Sequence, residues 1–136
     1  RESPLARKLA PVRPCIVCEA QSIGEGHYAS ALALHLNDAR MDEAYRLSDG
    51  LCLPHFVLAL EKAADPDLAQ RIADIQRAIW RRLKAELDEF MRKSDAVNSR
   101  GEQMDLESDS WRRAVKLLGG ERSVFGLRRK AGPGSA

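Results

Sequence analysis

The sequence predicts an all-α protein, a single bundle of about five helices. Its 136 residues suit one domain with one hydrophobic core. With 44% apolar and 31% charged residues, the chain as a whole is too apolar to be disordered. Apolar residues recur at steps of three and four along much of the chain, and no strand-rich segment is visible. These three observations together favour a globular helical fold.

The longest predicted helix runs from about residue 66 to residue 93. Asp65 suits its N-cap, and Pro66 suits its first position. A helix of this length extends ~40 Å, enough to form the spine of a bundle. Its apolar stripe covers about seven turns and consists of Leu68, Ile72, Ile75, Ile79, Leu83, Leu87 and Phe90. Trp80 lies beside the stripe, where it is either an edge of the core or an anchor for a partner helix.

Shorter helices are predicted on either side of this spine. Between Cys18 and about Asn37, Gly24 and Gly26 each weaken a helix by ~1 kcal/mol relative to alanine. We therefore expect a short helix just after Cys18 and a firmer one from about His27. The remaining helices are predicted over about 39–48, in the apolar run that follows Cys52, and over about 107–118.

Three cysteines and one histidine form two short pairs. Cys15 and Cys18 enclose two residues, and Cys52 and His55 repeat this spacing after a spacer of 33 residues. Such a spacing lets two side chains from one tight turn converge on one ion, and Cys3His is a common ligand set for structural zinc. Pro54 suits the first turn of a helix, whose dipole favours a thiolate at that end. The sequence thus predicts a zinc site that joins the N-terminal pair to the start of the third helix.

Other interpretations of these four residues stay open. The same ligands could hold a 4Fe-4S iron–sulfur cluster, in which histidine sometimes replaces cysteine. The first pair could be a redox pair, although such pairs usually accompany a βαβ pattern. The spacings could also arise by chance from three buried cysteines and a surface histidine. If one of the four is not a ligand, His27 is the first substitute to consider.

The two ends of the chain differ from its middle in composition. Residues 1–14 contain three prolines and four positive charges, and we expect a flexible arm. Residues 127–136 combine Arg128-Arg129-Lys130 with Gly-Pro-Gly, and we expect a flexible basic tail. The metal-stapled helical bundle is therefore predicted to occupy residues 15–126.

No catalytic constellation is recognisable in the sequence. His27 and His35 have no Cys, Ser or carboxylate at a spacing that predicts a triad. With 22 basic and 20 acidic residues, the net charge of +2 argues against a dedicated nucleic-acid binder. Besides a zinc-stapled adaptor and an iron–sulfur protein, a third functional alternative is a regulator that contacts nucleic acid through the Arg-rich long helix and tail.

Neither a membrane span nor an export signal is recognisable within these 136 residues, which begin at Arg1, and a signal removed before Arg1 stays an open alternative. No apolar run approaches the ~20 residues that span a bilayer, and no basic-then-apolar signal segment begins the chain. We expect a cytoplasmic, non-enzymatic adaptor or accessory subunit that contacts another protein or a larger complex.

Three sequence elements carry a resemblance to a known family. They are Cys15 with Cys18, then Gly50-Leu51-Cys52-Leu53-Pro54-His55, then Asp109-Ser110-Trp111-Arg112-Arg113-Ala114-Val115. In this order they resemble an uncharacterised prokaryotic family of small helical proteins with Cys-x-x-Cys, Gly-x-Cys-x-x-His and a C-terminal Asp-x-Trp-x-Arg-Ala-Val element. The resemblance covers about residues 14–120. It implies a shared fold and a shared four-residue site, and it implies no activity.

Overall fold

Five α-helices make up most of the described part of the chain, where no strand occurs. The structure, a computed structural model, describes residues 15–95, 97, 99 and 101–120. The α-helices are α1 (Ile16–His35), α2 (Ala39–Leu47), α3 (Leu53–Glu61), α4 (Pro66–Ser94) and α5 (Ser110–Gly119), and a short 3-10 helix (Leu106–Asp109) precedes α5. The all-α prediction is confirmed. The predicted arm (1–14), the predicted tail (127–136) and residues 121–126 lie outside the described residues.

The long helix α4 is the spine of the bundle. It is 29 residues long, and the Asp65 carboxylate caps it by accepting the backbone N–H of Leu68 at 2.8 Å. Helices α2, α3 and α5 pack against α4, and α1 packs against α3. The buried core consists of Ala33, Leu36, Tyr45, Ala59, Ile72, Ile75 and Ile79. Burying each isoleucine fully contributes ~1.5–3 kcal/mol before entropy is subtracted, so the stripe of α4 is the main source of core stability.

No described helix combines the length and the apolar character that crossing a membrane requires.

Trp80 belongs to the edge of the core. It is partly buried, and its ring meets Phe56 edge-on, with ring centroids 5.2 Å apart and an interplanar angle of 74°. This geometry is favourable for an aromatic pair. The contact joins α4 to α3, the helix that begins with Cys52 and His55.

Helix α1 is continuous from Ile16 to His35, so the expectation of a short helix after Cys18 and a separate, firmer one from about His27 is wrong. Two side-chain hydrogen bonds connect successive turns across Gly24 and Gly26. Gln21 Nε2 donates to Glu25 Oε1 at 2.9 Å, and Ser30 Oγ donates to the carbonyl of Gly26 at 2.9 Å. A cost of ~1 kcal/mol per glycine is therefore too small to end this helix.

A buried amide links three parts of the bundle. Gln76 of α4 has 0% exposure. Its Oε1 accepts the Tyr45 hydroxyl at 2.7 Å and the Leu51 backbone N–H at 2.9 Å, and its Nε2 donates to the Leu51 carbonyl at 3.2 Å. Gln76 thus holds the segment between α2 and α3, the segment that leads into Cys52.

Gly50 lies directly against this amide. Its φ is +77°, and a Cβ on it would lie 2.6 Å from Gln76 Nε2. Both the left-handed backbone and the close approach require glycine. The backbone conformation and the contact with Gln76 therefore explain why the Gly-x-Cys-x-x-His element begins with glycine.

A second buried polar contact ties the 3-10 helix to α4. Glu107 is 6% exposed and accepts Lys93 Nζ at 2.7 Å and the backbone N–H of Asp105 at 3.0 Å. The Lys93 ammonium first, and backbone N–H donors second, lower the pKa of the Glu107 carboxyl to about 2. This contact fixes how the chain returns from the end of α4 toward α5.

Replacing Gln76 with leucine is expected to destabilise the bundle by at least about 2 kcal/mol. Leucine keeps most of the volume but leaves the Tyr45 hydroxyl and the Leu51 backbone groups unpaired, at ~1–3 kcal/mol for each buried group. Urea unfolding measures the change in the free energy of unfolding. The matched control is Gln70→Leu at an exposed site of α4, where a change within about 0.5 kcal/mol is expected. Equal losses in the two variants would contradict the role of Gln76.

The Glu107 contact is expected to make stability depend on pH in the acid range. Because the folded-state pKa is about 2 and the ordinary value is near 4.5, the stabilisation is complete above the unfolded-state pKa and is lost as the pH falls toward 2. The free-energy difference between the wild type and Glu107→Gln should therefore be largest above about pH 5 and shrink below it. Urea titrations from pH 6 to pH 3 measure it, with the exposed-site variant Glu61→Gln as the charge control. A difference that stays constant over this range would refute the assignment.

Candidate metal centre

The two predicted ligand pairs occupy the same position on two different helices. Cys15 is the N-cap of α1 and Cys18 lies in its first turn, while Cys52 is the N-cap of α3 and His55 lies in its first turn. A residue at the N-cap and one three positions later project from the same end of a helix. The free backbone N–H groups and the helix dipole there favour anionic side chains such as thiolates. Each pair therefore lies where a cysteine thiolate, the form that binds metals, is stabilised.

The first pair lies on an unpacked end of α1. Every residue from 15 to 20 is exposed. The backbone N–H groups of Cys18 and Val17, followed by the Cys18 side chain, lower the pKa of the Cys15 thiol. The start of α1 thus favours the thiolate form of Cys15.

The second pair is more enclosed. Cys52 Sγ lies 3.0 Å from His55 Nδ1, and both side chains are partly buried. On a tetrahedral zinc ion, a sulfur and a nitrogen ligand lie about 3.5 Å apart. The end of α5 approaches the same place, since a Cβ on Gly120 would lie 3.9 Å from Cys52 Sγ and 3.5 Å from Pro54 Cγ. The side chains of this pair are therefore close to the spacing that one metal ion needs.

The two pairs are not joined to each other. Within the described residues, no three His, Cys, Asp or Glu side chains form a group that could hold a metal ion. The reason lies in how α3 docks on α1. His55 Nε2 faces Glu25 Oε1 at 3.6 Å, and Glu25 comes seven residues, or ~10 Å of helix, after Cys18. The structure thus brings Cys52 and His55 together, and within the described residues it does not bring them together with Cys15 and Cys18.

The other two histidines lie on the surface of α1. His27 and His35 are both exposed. Neither is part of a described group that could hold a metal ion. Their exposure is typical of surface histidines.

The C-terminal sequence element is connected to the second pair through Arg113. Its guanidinium, 12% exposed, contacts Glu86 of α4, binds Asp109 at 2.8 Å and lies 3.6 Å from Asp49. Asp49 directly precedes Gly50 in the segment that Gln76 holds. Asp49, which directly precedes the Gly-x-Cys-x-x-His element, and Arg113 of the Asp-x-Trp-x-Arg-Ala-Val element therefore form an ion pair. Sequence reasoning missed this role of Arg113, although the motif itself pointed to the residue.

Several basic residues of α4 are engaged within the bundle. Arg82 donates to the backbone carbonyls of Arg46 and Ser48 at the end of α2. Arg77 pairs with Asp74 at 2.9 Å, and Lys84 pairs with Asp88 at 2.6 Å. These cations serve local structure and ion pairs, as expected where acidic residues are interleaved.

The fold and the site define an all-α protein with two packed helices. One helix begins with a pair of cysteines, and the other begins with a cysteine and a histidine. The chain belongs to a family of unknown function, DUF6062, whose model matches residues 6–124. This agrees with the resemblance to an uncharacterised family. No curated protein and no solved structure matches the chain.

Arg113→Met is expected to lower the free energy of unfolding by about 2 kcal/mol, because hydrogen bonds to charged groups contribute ~1.5–3 kcal/mol and Glu86 would lose a largely buried partner. The neighbouring exposed residue offers a matched control, Arg112→Met, which should change stability by less than about 0.5 kcal/mol. Thermal and urea unfolding of both variants measure the difference. Equal stability of the two variants would show that Arg113 does not tie α5 to the rest of the bundle.

Proposed function

We propose that this protein is a non-enzymatic, metal-binding helical adaptor or accessory subunit. A structural zinc ion, held by Cys15, Cys18, Cys52 and His55, joins the start of α1 to the start of α3. The observation that carries this proposal is the matched placement of the two pairs at the N-termini of two helices that pack against each other. A closed Cys3His set leaves no open position for a substrate, so the role of the ion is architectural.

Joining the two pairs requires the start of α1 to move toward the second pair. Because residues 15–20 are all exposed, this movement breaks no buried contact. A Cβ on Gly24 would meet nothing within 4 Å, so there is open space on that side of the helix. Metal–ligand bonds supply the free energy for such an ordering step, since structural zinc sites couple binding to folding.

An exposed apolar row on α5 supports a role in contacts with another protein. Trp111, Val115 and Leu118 follow helical spacing and are 48%, 64% and 68% exposed. Single exposed apolar side chains are ordinary, whereas an aligned row on one helix is typical of a surface that another protein covers. We propose a protein or a larger complex as the partner, with no part for nucleic acid or membrane.

The cysteines support a reducing location. Cys15, Cys18 and Cys52 are all free thiols. Free thiols available as metal ligands suit the cytoplasm better than an oxidising compartment. The proposed site of action is therefore the cytoplasm.

Substituting a ligand is expected to lower metal content and thermal stability together. In protein purified anaerobically, Cys15→Ser and Cys52→Ser should each lose bound zinc and show a lower Tm, because the staple between α1 and α3 is gone. Elemental analysis and a thermal melt measure the two effects. His27→Ala, at an exposed histidine of α1, is the matched control and should retain its metal.

Normal metal content in both serine variants would refute the ligand assignment. Loss of metal in His27→Ala, with normal content in His55→Ala, would place the fourth ligand on α1 instead. A visible absorption band that bleaches on reduction would replace zinc with an iron–sulfur cluster on the same residues.

A further inference from the structure

We infer that two copies of this chain associate through their α1 helices, which pack antiparallel along an exposed row of residues, the α1 row. The row runs the length of the helix, and all six of its members are exposed: Ile16, Ala20, Ile23, His27, Ser30 and Leu34. The inference goes beyond the proposed function, because it requires neither a metal ion nor a different protein.

The α1 row has the spacing of a coiled-coil seam. Its members follow one another in alternating steps of four and three residues, which places them in line on one side of the helix. The large apolar side chains Ile16, Ile23 and Leu34 are 83%, 56% and 75% exposed. None of the six is Asp, Glu, Lys or Arg, and the Ser30 hydroxyl donates to the Gly26 carbonyl of its own helix at 2.9 Å. This side of α1 is therefore suited to apolar contact.

The other side of α1 is already used within the chain. Ala29 and Ala33 are buried, and α1 packs against α3. Helix α1 thus has two apolar sides, and the described part of the chain covers one of them. A row of aligned side chains is typical of a surface that another helix covers, whereas single exposed apolar residues are ordinary.

The α1 row is symmetric about Glu25. An antiparallel pair centred there has three kinds of layer across the two copies: Ile16 with Leu34, Ala20 with Ser30, and Ile23 with His27. Each layer joins side chains of similar size, and a two-fold interface requires such self-complementarity. Antiparallel packing also sets the two helix dipoles against each other favourably. These features favour a second copy over an unrelated protein, for which the symmetry would have no use.

Two glycines of α1 have no explanation in the contacts of the described residues. Glycine weakens the interior of a helix relative to alanine. Neither Gly24 nor Gly26 has a positive φ, and a Cβ on either would meet no atom of the described residues within 4 Å. They flank the α1 row on its two sides, next to its centre of symmetry. Bare backbone at this point lets a second helix approach closely.

The length of α1 is sufficient for a modest dimer. The helix has 20 residues and is therefore ~30 Å long. About a third to a half of the perimeter of such a helix, buried on both copies, amounts to ~1,000 Å², the smallest area expected of a specific interface. This area predicts a reversible dimer with a Kd in about the micromolar range.

The first test measures the Kd of the dimer by sedimentation equilibrium of the full chain. A reductant and a chelator are present, so that neither a disulfide nor a shared metal ion at Cys15 and Cys18 links two copies. Leu34→Glu should weaken the dimer at least about 10-fold, because two apolar layers of each dimer are lost. The matched control is Val115→Glu on α5, at a site that is 64% exposed, and it should leave the Kd unchanged.

A wild-type chain that stays monomeric at about 1 mM would overturn the inference and leave the α1 row to a different protein or to another segment of this chain. Equal weakening by Leu34→Glu and Val115→Glu, or weakening by Val115→Glu alone, would also overturn it. Urea unfolding of dilute, monomeric Leu34→Glu should show the midpoint of the wild-type monomer, because Leu34 is exposed. A lower midpoint would assign Leu34 to the stability of one chain and count against the inference.

The second test reads the orientation of the two helices. Adding Ile16→Lys to Leu34→Glu places a lysine opposite each glutamate in the antiparallel pair, so the double variant should dimerise more tightly than Leu34→Glu alone. In a parallel pair, lysine would face lysine and glutamate would face glutamate. A double variant that dimerises more weakly than Leu34→Glu would therefore overturn the antiparallel arrangement.

The third test uses the glycine beside the centre of symmetry. Gly24→Gln should raise the urea midpoint of the monomer, because glutamine is a better helix former than glycine. The same variant should weaken the dimer, because the added side chain keeps the second helix away. This combination of opposite effects separates an interface from a role in the fold of one chain. A dimer that is unchanged or tighter in Gly24→Gln would overturn the close approach of two α1 helices.

Discussion

The buried amide of Gln76 determines how the rest of the bundle is arranged. It pairs with a tyrosine hydroxyl and with both backbone polar groups of Leu51, in a place with no access to water. Polar groups buried without partners cost ~1–3 kcal/mol each. Conformations of the segment between α2 and α3 that leave these groups unpaired are therefore higher in energy. Since Gly50 and Leu51 lead directly into Cys52, this one side chain places the N-terminus of α3 relative to α4.

The two ligand pairs of the candidate metal centre differ in how firmly the fold holds them. The second pair follows a segment held by Gln76 and by the Asp49–Arg113 ion pair, and it has the end of α5 beside it at Gly120. The first pair lies on exposed turns that no core residue supports. An ion shared by both pairs would therefore attach the exposed start of α1 to the firmly held start of α3. In the proposed function this ion is a staple that stabilises a surface for another protein.

Local sequence signals predicted most of the fold, but not how the two ligand pairs lie relative to each other. Apolar spacing predicted α4, and Asp65 caps it as expected, because both features depend on residues within a few positions of one another. The pairing within Cys52-Leu53-Pro54-His55 is equally local, and its two side chains do meet. The relation between the two pairs depends on where α3 docks along α1, which no spacing encodes. Gln76 escaped notice because a polar residue beside an apolar stripe usually faces solvent.

The most direct test of the central claim is X-ray absorption spectroscopy at the zinc edge on full-length protein purified without oxygen. A Cys3His zinc site predicts one zinc per chain with three sulfur neighbours at about 2.3 Å and one nitrogen at about 2.0 Å. Chains that retain no metal, or zinc surrounded only by nitrogen and oxygen, would contradict it.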